Sequence, residues 1–191
     1  MTAAPNAIAK VASDGELLAA IATGNLDALG RLFDRYAPEL ERYLSRIGVP
    51  PGDVEDLVQA TFLEVVRAAE RFDPHYSARG WLFGVAVLMV RRHRRSVARA
   101  FARIAAWSPI AREQSPPTPA ELFEGDEATA RLELALSRLS AKKREVFVLV
   151  TLEGLSGEEA ASVLGIPVKT VWTRLHHARL ELRVALSEDE R

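Results

Sequence analysis

Apolar positions along this chain recur almost everywhere at three- and four-residue intervals, the period of an amphipathic helix. Ser13 and Glu16 form a capping box ahead of a short apolar helix. Asn25 can cap a second helix carrying Leu26, Leu29, Leu32, Phe33 and Tyr36 on one side. Pro38 either kinks that helix or starts a new one bearing Leu40, Tyr43, Leu44 and Ile47, which Gly48 closes. After a Pro-Gly turn, Asp53 is placed to cap a helix running to about Glu70. Val54, Leu57, Val58, Thr61, Phe62, Val65 and Val66 make its buried stripe. A loop over 71–79 leads into a long helix from about Gly80, in whose apolar run Trp81 and Phe83 read as core.

The period breaks near Trp107. The stretch 108–127 carries four of the ten prolines and several acids, the composition of an extended linker. Helical spacing resumes near Ala128 with Leu132, Leu136 and Leu139, and Ser140 caps a further helix closed by Gly154. No internal repeat and no strand pattern is present. The predicted fold is all-α, with helical domains at 10–100 and 128–187 joined by a Pro-rich segment at 101–127.

The segment 156–182 carries the clearest local signals. Ser156 and Glu159 form another capping box, and Gly165 sits where a left-handed residue must end the helix. Pro167 stands at the first turn of the next helix. Val171, Leu175, Ala178 and Leu182 form its inward stripe, leaving Lys169, Thr170, Thr173, His176 and His177 outside. This is the layout of a helix-turn-helix, whose second helix enters the DNA major groove. An ordinary helical hairpin with a solvated face has the same pattern.

Charge changes the picture through its distribution. The formal net charge is only −1, yet no acid stands between Asp73 and Glu113. Arg79, Arg91, Arg92, Arg94, Arg95, Arg99, Arg103 and Arg112 all fall in that gap. Eight unopposed arginines point to a nucleic-acid partner. The chain has no cysteine, which excludes disulfides and Cys-based zinc sites and fits a reducing compartment. No signal-peptide pattern opens the sequence and its longest apolar run is too short to span a bilayer, so a cytoplasmic location is expected. No Gly-rich phosphate loop and no metal-ligand spacing occurs. Neighbouring His176 and His177 point apart on a helix and make a poor metal clamp. No cofactor, metal site or catalytic residue is expected.

Three segments, 53–68, 71–95 and 136–183, taken in this order across a Pro-rich linker, closely resemble the bacterial RNA polymerase sigma factors of the extracytoplasmic-function group. The resemblance spans roughly 13–186. It implies that the domains are sigma regions 2 and 4 and that the chain directs promoter-specific initiation without catalysis. The helix from Asp53 would dock on the polymerase β′ coiled coil through Asp53, Asp56, Gln59 and Leu63, with Arg67 beside them, and region 4 would meet the β flap. The segment 72–81 resembles the loop that captures an unstacked base of the −10 element. His75, Tyr76 and Ser77 would stack and hydrogen-bond, Arg79 would hold a phosphate, and Arg91, Arg92, Arg94 and Arg95 would add phosphate contacts. Leu88 and Arg92 stand where the family usually has Asn and Asp, and Ala60 where it has an acid. Lys169, Thr170, Thr173 and Arg174 would read the −35 element, with His176 and His177 next. Trp172 replaces a residue that is commonly basic, and either packs on DNA sugars or shapes a partner surface. The linker would thread towards the RNA exit path. An anti-sigma factor is the further partner implied. A stand-alone helix-turn-helix regulator and a sigma-mimicking partner-switch protein are the alternatives.

Overall fold

A computed structural model describes residues 12–107 and 127–188. All regular elements among the described residues are helical: α1 (Asp14–Ala22), α2 (Leu26–Arg46), α3 (Pro51–Ala68), α4 (Ala78–Trp107), α5 (Glu127–Arg138), α6 (Ala141–Phe147), α7 (Gly157–Leu164) and α8 (Val168–Glu188). A short 3₁₀ turn, Ala69–Arg71, follows α3, and a π-helical turn, Val148–Leu152, follows α6. The expected linker centre lies outside the described residues.

Local chemistry accounts for most boundaries. The capping boxes at Ser13 and Ser156 are both formed, with Glu16 and Glu159 returning hydrogen bonds to the cap backbone. Asn25 Oδ1 accepts from the Ala28 amide at 3.0 Å. Gly165 ends α7 in the left-handed conformation at φ 65°, as a helix C-terminus favours. Pro38 lies inside α2, which runs unbroken through it. Three expected helix starts differ. Helix α3 begins at Pro51, so Asp53 sits inside the first turn and its carboxylate pairs with His93 on α4 at 3.3 Å. Pro167 precedes α8, and its carbonyl accepts the Thr170 and Val171 amides. Ser140 is an N-cap by backbone position alone, without a side-chain bond.

Helices α1–α4 enclose one apolar core in which Leu18, Leu32, Leu40, Tyr43, Leu44, Val58, Val65, Leu82 and Phe83 are essentially inaccessible. Phe83 meets Tyr43 edge-on at 5.3 Å, and Trp81, half-buried, meets Phe72 at 5.6 Å. Val66, expected in the buried stripe of α3, is instead 39% exposed. The same buried cluster continues into α5–α8, where Leu136, Val146, Leu149, Leu164, Val171 and Leu175 are buried.

The two units pack together. Helix α7 lies along α4 in the same direction, with Glu159 against Gly80 at its start and Arg91 Nη2 donating to the Leu164 carbonyl at 2.8 Å at its end. Gly80 and Gly84 occupy successive turns of α4 on this side and face Glu159 and Val163 of α7.

Candidate nucleic-acid interface

Helix α8 presents the residues expected at the −35 element. Val171, Leu175, Ala178 and Leu182 are buried, and this fixes the opposite face outward. Lys169, Thr173, His176 and His177 are exposed, while Thr170 and Arg174 are half-buried at the sides. Thr173 Oγ1 donates to the Lys169 carbonyl at 2.9 Å, so its hydroxyl faces outward chiefly as an acceptor. The rings of His176 and His177 stand edge-to-face with centroids 5.8 Å apart. Trp172 is 49% exposed and lies over the start of α7. A β-carbon placed on Gly157 would come within 2.5 Å of its ring. The indole therefore braces the two helices of the motif while keeping one face in solvent.

The loop between the 3₁₀ turn and α4 is shaped by its own side chains. Asp73 Oδ1 accepts the His75 amide at 2.9 Å, and Ser77 Oγ accepts the Gly80 amide at 3.0 Å at the start of α4. His75, Tyr76 and Ser77 are exposed, Tyr76 by 68%. Tyr76 and Ser77, with Asp73, Trp81 and Leu88, line one wall of a groove of about 710 Å³, which His75 does not line. Glu158, Glu159, Ser162 and Val163 of α7 line the other.

The arginines are not unopposed in the folded chain. Arg79 pairs with Glu39 at 2.9 Å and with Glu153 at 3.7 Å, and its guanidinium stacks over Phe83. Arg92 reaches Glu64 on α3 at 3.2 Å. Arg94 pairs with Glu145 at 3.3 Å and donates to the Ile47 carbonyl. Arg91 is engaged with α7, and Arg95 Nε donates to the Arg91 carbonyl. The acids come from α2, α3, α6 and the turn after the π-helix, all distant in sequence, so a linear charge map missed them. Arg99 and Arg103 are exposed, and Arg112 lies outside the described residues.

On α3, Asp56, Gln59 and Leu63 fall along one exposed face with Arg67. Leu63 is 60% exposed, an apolar side chain held in water between polar neighbours. Gln59 Nε2 donates to Glu55 at 3.2 Å. Asp53 is half-buried against His93 and stands beside this face.

Three kinds of comparison bear on this arrangement. Residues 32–100 match the Sigma-70 region 2 family and residues 129–182 match Sigma-70 region 4. The RNA polymerase sigma factor CnrH of Cupriavidus metallidurans is 34% identical over 190 residues, covering 93% of this chain and 96% of CnrH. The chain belongs to the RNA polymerase sigma factors. Its relatives include extracytoplasmic-function members such as SigE of Mycolicibacterium smegmatis, 32% identical over 87% of this chain and 66% of that one. The solved structure of CnrH in complex with the cytosolic domain of CnrY superposes with a TM-score of 0.68, covering 92% of this sigma factor and 98% of that chain. The sigma factor RpoE of Bartonella quintana, solved with the anti-sigma factor NepR, shares the fold at 24% identity and TM-score 0.68, over 83% of this chain and 96% of that one. Residues 32–100, within α2–α4, therefore correspond to sigma region 2 and residues 129–182, within α5–α8, to sigma region 4. As a sigma factor the chain serves core RNA polymerase in promoter-directed initiation. Among the described residues of this sigma factor, no helix is long and apolar enough to cross a membrane.

Proposed function

We propose that this sigma factor divides promoter recognition between its two ends, with the following residues in the contact roles. Lys169, Thr170, Thr173 and Arg174 meet the −35 duplex, flanked by His176 and His177. Lys and Arg suit guanine edges and phosphates, and Thr suits either. Trp172 acts as the brace that sets the angle of the recognition helix. The loop around His75, Tyr76 and Ser77 receives a base unstacked from the −10 element. Extrusion costs a few kcal/mol, and stacking on an aromatic returns about 1–3 kcal/mol per base, so the loop pulls melting forward. Arg79, Arg91, Arg92, Arg94 and Arg95 hold phosphates once their intrachain partners release them. Asp56, Gln59 and Leu63, with Asp53 beside them, dock on the β′ coiled coil, and region 4 docks on the β flap.

The single observation that carries this reading is the outer face of α8, polar and exposed along its N-terminal half over a fully buried stripe. The protein performs no chemistry itself and works in the cytoplasm, where the polymerase is. An anti-sigma factor is its expected regulator, as the pairing of CnrH with the cytosolic domain of CnrY supports. Run-off transcription with purified core polymerase tests the reading. Start-site-specific transcripts should require the chain. A chain that neither binds core nor directs initiation would overturn it.

A further inference from the structure

The centre of the outer face of α8 joins Lys169 to two imidazoles. Thr173 stands at that centre, and Lys169 lies one turn before it. His176 and His177 follow at three and four residues, so both imidazoles sit over the same face one turn on. Both are exposed, and their rings stand edge to face at 5.8 Å. The Thr173 hydroxyl is engaged by the Lys169 carbonyl, and Arg174 is half-buried to one side. Arg179 and Arg183 are exposed further round the helix. Whether this face carries one central positive charge or three therefore depends on the two histidines.

Among the described residues neither imidazole takes part in a hydrogen bond or an ion pair. The elements packed on α8 meet its opposite side, the buried stripe of Val171, Leu175, Ala178 and Leu182. The described charged groups of those elements are Arg131, Glu133 and Arg138 on α5, Lys142, Lys143, Arg144 and Glu145 on α6, and Glu158 and Glu159 on α7. Several are engaged elsewhere. Glu145 takes Arg94, Arg138 reaches the Ala185 carbonyl, and Glu159 closes its capping box. On α8 itself the acid one turn after His177 is Glu181, and it is paired with Lys143. The charge state of the two imidazoles is thus left to whatever approaches from solvent.

We propose that His176 and His177 form a proton-dependent phosphate clamp: an arriving DNA duplex draws protons onto both imidazoles, and the recognition helix grips more tightly as pH falls. This rests on the contact role proposed above for α8 and adds its regulation. Histidine is the side chain that ordinarily changes charge between pH 5 and 8. A neutral imidazole has one N–H donor and one bare acceptor nitrogen, whereas the imidazolium donates through both. A phosphate oxygen only accepts, and a charge-assisted hydrogen bond to it is roughly twice as strong as a neutral one. Two imidazolium rings 5.8 Å apart repel each other in the free chain. Phosphates beside them offset that repulsion, so proton uptake and duplex binding reinforce each other. Each further phosphate neutralised also releases counterions, so protonation steepens the salt dependence.

The test titrates the full chain into a short fluorescent duplex of random sequence, by anisotropy, from pH 8 to pH 6. Parent affinity should rise at least about fivefold, and the slope of log affinity against log salt should steepen by about 1 to 2. His176→Gln with His177→Gln keeps hydrogen-bonding side chains without the charge, and its affinity should stay flat within about twofold. His176→Arg with His177→Arg fixes the charge, so at pH 8 it should bind as the parent does at pH 6. All four substitutions are at exposed positions, and unchanged helicity across the range confirms the fold. His75 and the Asp53–His93 pair remain in every chain, so a pH dependence arising there would survive in the neutral variant. A pH-flat parent, a neutral variant that keeps the rise, or a cationic variant that still follows pH would overturn the clamp. Lys169→Ala with Arg174→Ala, titrated beside them, reads the contact role itself. Affinity equal to the parent's would remove α8 from the duplex and the clamp with it, whereas weakened binding beside a pH-flat parent would sink the clamp alone.

Discussion

The indole of Trp172 lies over Gly157 so closely that a β-carbon there would stand 2.5 Å from Cζ2 and 2.9 Å from Cε2. Gly157 is the first residue of α7, with an ordinary helical backbone, so its glycine is required by the ring and not by a turn. Gly157→Ala should destabilise region 4 by about 1 kcal/mol through overpacking. The loss should vanish in a Trp172→Ala background, where alanine's helix propensity alone remains. Thermal melts of the four chains in this cycle measure the coupling.

The capping box at Ser156 and Glu159 makes a pH-dependent contribution. The Ser156 amide, chiefly, holds the Glu159 carboxyl below its ordinary value of 4.5. Its folded-state value is thus lower than its unfolded one. The stabilisation is fully present above the unfolded value and is lost as pH falls through the folded one. Glu159→Gln should therefore destabilise the chain at pH 7, and the difference should shrink as pH is taken down through the carboxyl range. Urea unfolding of both chains across pH 7 to 3 provides the check. Ser156→Ala, which removes the other half of the box, should lose about 1 kcal/mol at pH 7.

Leu63 is exposed by 60%, so Leu63→Asp should leave stability within about 0.5 kcal/mol. As an apolar anchor in a docking face it should nonetheless weaken core-polymerase binding by at least about tenfold. Co-purification with core, beside an unchanged melting curve, separates the two effects. Equal retention of mutant and parent on core would remove Leu63 from the docking face.

Lys169→Ala with Arg174→Ala should weaken binding of region 4 to its upstream duplex. Each lost phosphate contact should also reduce the slope of log affinity against log salt by about 1. Anisotropy titrations at several salt concentrations measure both. A lower affinity with an unchanged slope would mean that these side chains meet base edges alone.

Much of the fold was legible because its signals are local. Both capping boxes, the Asn25 cap, the left-handed Gly165 and the inward stripe of α8 depend on residues a few positions apart. The three segments that carry the family resemblance are likewise linear. Where the reading slipped, the competing cause lay further off. Asp53 was expected as a cap, but Pro51 starts α3 earlier, and the carboxylate turns to His93 forty residues away. Val66 matched the apolar period, yet whether a helix edge is covered depends on its neighbour.

The sequence alone determined that this is an all-α sigma factor with a helix-turn-helix at one end, since caps, periodicity and motif order are properties of the chain. Tertiary structure alone decided the state of its charges. Eight arginines in an acid-free stretch looked free for nucleic acid. Folding brings Glu39, Glu64, Glu145 and Glu153 against Arg79, Arg92 and Arg94 from distant helices. Ion pairing falls off within a few ångströms, and distance through space is what the linear order of residues does not contain.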